Sequence, residues 1–479
     1  MATKNENIRL KMDKASIGVI GLATMGANLA RNFANNKIKT VVYNRTTEKT
    51  NSFIKEFGSE YLSGEKTLKQ FIQKLDRPRK IILMVKAGLA VDAVIESILP
   101  HLTKEDIVID CGNSNYKDTI TRSQDLKKQH INFIGCGVSG GEEGALNGPS
   151  LMPGGNRASF NKLSPLLKKI AAKDFDNKPC VTFVGSNGAG HFTKTVHNGI
   201  EYGIMQLMAE AYDLLRKLYK LPPNQIANIF ESFNKGTLAS YLFEISIPIL
   251  RTKDQITGDH LINKVLDKAA QKGTGMWTSI ASYELGQPTP AISEAVYARN
   301  LSNFKELRTE LSKLYKRPTK GKKPSLNKFI PQLESALIAS IIITYTQGFA
   351  LLTSAAKQHN WKLNLSEIAR IWQGGCIIRA ELLKLFTEIY KKQPQLTNLL
   401  LSKKIRTLLS KHLPSLGEIS TIAIQNSIPL PSHTAALSYF NSLTSLKLPA
   451  NFIQGLRDHF GAHTFERTDK KGSFHANWS

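Results

Sequence analysis

Ser16-Ile17-Gly18-Val19-Ile20-Gly21-Leu22-Ala23-Thr24-Met25-Gly26, close to the start of a 479-residue chain, decides the fold. The first five residues form a short apolar run of strand type, and a helical pattern then extends to about Asn36. Thr40-Val41-Val42-Tyr43 is the next strand. A strand, a glycine turn, a helix and a second strand open a dinucleotide-binding unit: glycines admit a pyrophosphate close to the backbone, and the helix N-terminus faces its charge. Ala23 in the middle place also leaves an ordinary tight turn open. On the first reading Gly21, Leu22, Ala23, Thr24, Met25 and Gly26 are cofactor-binding candidates.

The residues after the second strand bear on which cofactor is taken. A carboxylate there would hold the ribose hydroxyls of NAD and repel the extra phosphate of NADP, whereas this chain has Asn44-Arg45-Thr46. A guanidinium and a hydroxyl suit that phosphate, so NADP is expected, with Arg45 as discriminator. Further strands are expected at 81–85, 107–110, 131–135 and 181–185. Each ends in a polar or glycine-rich segment, and such segments gather at the ligand crevice of an open α/β sheet. They are Lys86-Ala87-Gly88, Cys111-Gly112-Asn113-Ser114, Ser139-Gly140-Gly141 and 185–190, and Asn44, Arg45, Thr46, Val85, Lys86, Ala87 and Asn113 join the cofactor-binding candidates. Beyond Gly190 helical patterns dominate. The expected architecture is an α/β, Rossmann-type dinucleotide-binding domain over 16–189, a large all-α domain over 190–447 and a C-terminal helix with a tail over 448–479. Residues 1–15 are expected to fray.

Composition narrows the class of protein. The chain is 41% hydrophobic and has four scattered cysteines, without paired metal-ligand spacing, which points to reduced thiols, no metal site and a cytoplasmic setting. The polar first residues lack the apolar core of a secretory signal. The uncharged run 336–355 has membrane-spanning length, but polar residues interrupt it, so a buried core helix is expected and no membrane association. A net charge of +26 raises the prospect of a polyanionic partner. The basic residues are nevertheless dispersed, with concentrations at 316–323, expected as a loop, and 384–411, expected as helix. Neither carries interleaved aromatic residues, so solvated surface charge is expected and nucleic acid is not.

One helix-forming segment is unusual. Lys194, His197, Asn198, Glu201 and Tyr202 recur at i, i+3, i+4, i+7 and i+8, one face of a helix. Val196, Ile200, Ile204 and Leu207 take other faces. Either this is a salt-bridged surface helix, or the helix is embedded and its polar stripe lines a cavity.

Long strings in the chain resemble the decarboxylating, NADP-dependent 6-phosphogluconate dehydrogenases of the β-hydroxyacid dehydrogenase superfamily. They are 21–26, 44–46, Gly-Val-Ser-Gly-Gly-Glu-Glu-Gly-Ala at 137–145, 148–155, and Gly-Ala-Gly-His-Phe-Thr-Lys-Thr-Val-His-Asn-Gly-Ile-Glu-Tyr-Gly at 188–203. Gln-Lys-Gly-Thr-Gly at 271–275, Gly-Gly-Cys-Ile-Ile-Arg at 374–379 and Arg-Asp-His-Phe-Gly-Ala-His-Thr at 457–464 complete them. The resemblance implies metal-independent oxidation of 6-phosphogluconate at its third carbon, loss of carbon dioxide and protonation of the enediol to ribulose 5-phosphate, within the pentose phosphate pathway. It implies Lys194 as base and then acid, and Glu201 as the acid for the enediol carbon. Ser139, Gly140 and Gly141 would hold the carboxylate end. Asn113, His197 and Asn198 would hold hydroxyls beside the nicotinamide, and Tyr202, Lys272, Thr274, Arg299, Arg457 and His463 would grip the phosphate. Arg457 and His463 would come from the partner in a homodimer.

The departures from the family pattern are Cys111 for a usual glycine, Met205 for an aspartate, Met276 for a basic residue and Gln373 for an arginine. The chain also stops at Ser479, without a glycine-rich extension. Another β-hydroxyacid dehydrogenase, or a non-enzymatic protein binding NADP or a polyanion, is the alternative. The first gives Arg299 and Arg457 no phosphate to hold, and the second has no use for Lys194 and Glu201 together.

Overall fold

A computed structural model describes residues 14–271, 273–315 and 321–478. Its N-terminal part is a seven-stranded sheet: β1 (Ile17–Ile20), β2 (Thr40–Tyr43), β3 (Leu62–Gly64), β4 (Lys80–Leu83), β5 (Ile107–Asp110), β6 (Asn132–Ser139) and β7 (Ser150–Gly155). The spatial order is β3-β2-β1-β4-β5-β6-β7, parallel except for β7, which runs antiparallel to β6. Strand order reverses between β1 and β4, where doubly wound sheets open their crevice. Ile17, Val19, Val42, Ile82 and Ile109 fill one face of the sheet, and Val41, Ile81, Leu83 and Val108 the other.

Four strand expectations change. β3 is an addition, too short and polar to signal itself. β7 is another: Pro153, Gly154 and Gly155 argue against a strand, yet at the sheet edge Pro153 loses no needed donor. The strand expected at 181–185 is reduced to isolated bridges, Leu151 to Val181 and Gly154 to Gly185, because it lies along the outer edge of β7. β6 runs on to Ser139, so that residue belongs to the sheet and not to a loop. Of the N-terminal extension, residues 1–13 lie outside the described residues, while Ala15 is buried and bridges Leu75, so the chain is already ordered there.

Helices build the rest around two long ones, Ala189–Tyr219 and Leu326–His359. The second is apolar and long enough to cross a membrane, but 94% of its most apolar window is buried inside the protein. Several of its polar groups find partners inside the protein, although Ser340 Oγ and Gln347 Nε2 have none among the described residues. Thr344 and Thr346 bond back to carbonyls four residues earlier, Tyr345 donates to the Ile378 carbonyl, and Gln347 accepts from the Ala291 N–H. The basic stretch 384–411 is split between helices Leu382–Lys392 and Lys403–Gln425, with Pro394 in the break. Of 316–323, residues 316–320 lie outside the described residues.

The tail is not simply extended. After helix Ala450–Gly461 it folds into a small hairpin, β8 (Phe465–Glu466) with β9 (Ser473–Phe474). Asp458 closes it, accepting from the Thr464 and Ala476 N–H groups, from Trp478 Nε1 at 2.8 Å and from His475 Nδ1 at 3.0 Å. Burial pushes its carboxyl up, but these hydrogen bonds, led by His475, prevail and hold it at about 2.

Candidate active site

The helix Ala189–Tyr219 lies against β6 because three strand positions of one face leave room for it. A Cβ on Gly135 would stand 2.9 Å from His191 Nδ1, and one on Gly137 would stand 2.5 Å from Lys194 Cβ. The next residue on that face, Ser139, bonds His197 Nε2 at 3.2 Å. Strand steps of two thus meet helix steps of three. On the opposite flank Gly199 lets helix Thr274–Glu284 close in, with Thr278 Oγ1 donating to the Thr195 carbonyl at 2.8 Å.

The expected stripe is therefore buried, and the surface-helix alternative falls. His197 is 0% and Lys194 7% exposed. Asn198 Nδ2 donates to Thr274 Oγ1 at 2.9 Å, which turns its Oδ1 toward His197 Nδ1 at 3.0 Å. An amide oxygen only accepts, so Nδ1 carries the imidazole proton and Nε2 accepts from Ser139. Trp372 stacks edge-on against the ring, with centroids 5.7 Å apart. Lys194 Nζ is 3.4 Å from Nδ1 and Glu201 Oε2 is 3.8 Å from it. An amine and a carboxylate thus both face the same imidazole nitrogen.

Burial is the largest influence on the proton affinity of all three groups. It lowers Lys194 from the ordinary amine range against the opposing pull of Glu201. It raises Glu201, against the pull of Lys194 and Arg299, and holds His197 well below an ordinary imidazole, with Lys194 adding to the fall. Both shifts favour the uncharged forms, amine and carboxylic acid, over the ions. Opposite shifts of a neighbouring base and acid mark a site built for proton transfer.

The anion-facing candidates lie around this ridge. Arg299 sits over the Tyr202 ring at 3.5 Å, and Gly275 leaves space for that ring. Nη2 of Arg299 meets Met205 Sδ at 3.6 Å, where an aspartate would have neutralised it. Gly140 and Gly141 have φ of +118° and +63°, and a Cβ on Gly141 would meet nothing within 4 Å. Their turn is open on the side away from Gly375. Lys272 lies outside the described residues. Arg457 bonds Gln454 and His463 packs edge-on against Phe460, so within one chain their contacts are local to the tail.

The cofactor candidates share the crevice side of the sheet. Gly21 has φ of +100°, and a Cβ on Gly26 would be 2.0 Å from the Gly21 carbonyl oxygen. Only glycine lets helix Thr24–Asn35 start this close to the strand. No side chain caps that helix or Thr47–Phe57, so their first N–H groups are available to phosphate. Asn44 Oδ1 accepts from the Leu22 N–H at 3.1 Å, tying the two turns together and engaging the Leu22 donor. Arg45 and Thr46 are exposed at the mouth, as are Lys86 and Asn113, with Val85 and Ala87 half-buried beside them. The donors and the glycine cradle fit a dinucleotide carrying an additional phosphate.

The sequence left two contributors without a role. Gly137 has a signal, its alternation with Gly135 and Ser139. Trp372 has none, since its contact with His197 depends on packing across the helical part.

Residues 16–185 match the family described as the NAD binding domain of 6-phosphogluconate dehydrogenase, and residues 190–478 match 6-phosphogluconate dehydrogenase, C-terminal domain. The chain is 47% identical over 468 residues to the NADP(+)-dependent, decarboxylating 6-phosphogluconate dehydrogenase of Bacillus subtilis, covering 98% of this chain and 100% of that one. With the decarboxylating enzyme of Escherichia coli it shares 45% over 467 residues, again 98% and 100% of the two chains. The Plasmodium falciparum 6-phosphogluconate dehydrogenase, solved in its apo form, with NADP+ and with 6-phosphogluconate, superposes with a TM-score of 0.93 at 43% identity, over 97% and 100% of the chains.

Proposed function

Because the chain belongs to the 6-phosphogluconate dehydrogenase family, we propose that the buried ridge from Lys194 to Tyr202 is its acid–base machinery. The enzyme oxidises and decarboxylates 6-phospho-D-gluconate to D-ribulose 5-phosphate and carbon dioxide, with NADP becoming NADPH. NADP supplies the hydride acceptor. The opposite displacement of the Lys194 and Glu201 proton affinities is the observation that carries the assignment of roles.

Lys194, as the neutral amine, takes the proton of the third-carbon hydroxyl while hydride leaves that carbon. The ketone so formed lies β to the carboxylate. Lys194, now an ammonium, returns its proton to the ketone oxygen as the bond to the carboxyl carbon breaks, and the electron pair forms the enediol. Glu201 then protonates the enediol carbon as Lys194, neutral again, takes back the proton of the adjacent enol oxygen, which leaves the ketone of ribulose 5-phosphate. His197 and Asn198, locked by Ser139 and Thr274, orient the hydroxyls. Gly140 and Gly141 offer N–H groups to the carboxylate. Arg299, without an acidic partner at Met205, keeps its charge for the phosphate, which Tyr202, Thr274 and, by the family resemblance, Lys272 would also bind.

Lys194 and Glu201 work as a pair that holds one proton. Activity falls on the acid side as the Lys194 amine becomes an ammonium and cannot take the hydroxyl proton, and on the alkaline side as Glu201 becomes a carboxylate with no proton for the enediol carbon. Glu201→Gln is expected to lower kcat about 100-fold and to remove the alkaline limb of the kcat profile, while the acid limb, protonation of the Lys194 amine, remains. A profile of unchanged shape would assign the alkaline limb elsewhere.

Discrimination toward NADP falls to Arg45. In an assay that pairs NADPH formation with trapped carbon dioxide, one mole of each per mole of substrate is expected. In the same assay Arg45→Glu should shift the NADP:NAD ratio of kcat/KM by about 100-fold or more, since a charge-assisted phosphate contact becomes a repulsion. Reduction without carbon dioxide would refute the decarboxylating reading, and an unchanged ratio the role of Arg45.

The helical region supports a homodimer. Phe452, Ile453, Leu456 and Phe460 on the C-terminal helix are 49–72% exposed, and Tyr297, Leu301, Phe304 and Leu307 are 50–60% exposed. Such apolar surface suits a second copy of the chain. Arg457 and His463, carried beside it, would complete the phosphate grip of the neighbouring subunit. On this reading 16–189 binds the cofactor, 190–447 provides the substrate and dimer surfaces, and 448–479 crosses to the partner. Four buried free thiols support a reducing, cytoplasmic setting.

A further inference from the structure

Two loops flank the crevice at the C-terminal ends of β4 and β5, residues 85–88 and 111–114. They touch at their roots, where a Cβ on Gly112 would lie 3.1 Å from the Val85 carbonyl oxygen. Behind them one side chain reaches both. Arg122, on helix Tyr116–Lys128, is 7% exposed. It grips Asp92 with a fork, Nε to Oδ1 at 2.6 Å and Nη2 to Oδ2 at 3.0 Å, and Nη2 also donates to the Gly88 carbonyl at 3.2 Å. Asp92 and Gly88 open helix Leu89–Ile98, so this grip fixes the end of the first loop.

The other side of the guanidinium faces the second loop. Nη1 is buried, lacks a hydrogen-bond partner among the described residues, and lies 3.7 Å from Asp110 Oδ2. Asp110 is 0% exposed and holds that loop directly, accepting from the Gly112 N–H at 2.9 Å and from Ser114 Oγ at 2.6 Å. A carboxylate so deeply buried needs a cation nearby. Arg122 therefore fastens one loop by hydrogen bonds and the other through charge. Meanwhile Gly88, at φ +88°, faces open space, as do Lys86 and Asn113 at the surface.

We propose that Arg122 is a positioning residue for hydride transfer, setting the separation of the two loops between which the nicotinamide ring is presented to the substrate. The inference rests on the reading of these loops as cofactor loops. Arg122 is buried behind the loops and acts through Gly88, Asp92 and Asp110. A single ammonium cannot fork to Asp92, reach the Gly88 carbonyl and face Asp110 at once.

The test is Arg122→Lys in the full-length enzyme. A misplacement of about 1 Å can cost about 100-fold in rate, and here a tenfold fall in kcat and a tenfold rise in the KM for NADP are expected. The deuterium isotope effect with substrate labelled on the third carbon should increase, as hydride transfer becomes the slower step. Affinity for adenosine 2′,5′-bisphosphate, which ends short of the nicotinamide, should be unchanged. A lower melting temperature with KM, isotope effect and kcat per folded enzyme unaltered would make Arg122 merely structural and overturn the proposal. If the variant does not fold, Asp92→Asn loosens the same fork and is read in the same way. Ala87→Leu separates the two levels of the argument. If it leaves the KM for NADP unchanged, the cofactor reading of the loops fails; if it raises that KM while the Arg122 and Asp92 variants do not, only the present inference fails.

Discussion

Lys194→Met should reduce kcat by about 1,000-fold or more while leaving NADP affinity within a factor of about two, because the amine enters only when bonds to hydrogen and carbon change. Methionine matches the length of the stem, so packing against β6 is retained and the loss is chemical. The same variant should fail to decarboxylate a supplied 3-keto acid, since the proton returned to the ketone oxygen comes from the same nitrogen. Stopped-flow NADPH formation and carbon dioxide trapping measure the two steps separately. Activity within tenfold of the parent in either would remove Lys194 from that step. Retained decarboxylation with lost oxidation would divide between two residues what is assigned here to one.

Gly190→Ala is expected to have the largest effect on stability, exceeding about 4 kcal/mol, the range reached when a buried clash cannot relax. The added methyl would stand 2.1 Å from the Gly135 carbonyl oxygen, 2.4 Å from the Met152 carbonyl oxygen and 2.7 Å from the Gly154 nitrogen. All three are backbone atoms of β6 and β7, so no side chain can turn aside. Gly417→Ala is the matched control: it lies inside helix Lys403–Gln425 with nothing within 4 Å of the new methyl. Replacing it should stabilise by about 0.5–1 kcal/mol, the helical preference for alanine over glycine. Denaturant midpoints and soluble yield compare the two. Comparable effects would mean that the helix Ala189–Tyr219 can shift on the sheet.

Gly190 also shows where sequence reading meets its limit. The glycines of 185–190 read as a ligand loop at the end of a strand, but Gly190 is required for packing, inside a helix. Local signals carried furthest. Short apolar runs marked the main strands and the 3.6-residue pattern the polar ridge, and burial alone was needed to choose between a surface helix and a lined cavity. Features set by distant partners were hidden. β7 contains Pro153 and two glycines and becomes a strand only because β6 extends beside it. Asp458 gathers the tail by capping groups up to 20 residues away, which no local pattern announces. Arg122 is one of 64 basic residues and carries no local signal, and only its place behind two loops distinguishes it.

The match between β6 and its helix carries one last implication. Gly135, Gly137 and Ser139 face His191, Lys194 and His197 in turn, two residues against three. Adding or deleting a single residue in β6 would send Ser139 to the opposite face of the sheet and set a side chain where a gap is needed. One residue gained or lost in the helix before Lys194 would rotate the amine by about 100°. Substitutions here can be graded by size, but an insertion or deletion has no mild form. What a lineage must hand down at this contact is a count before it is a composition.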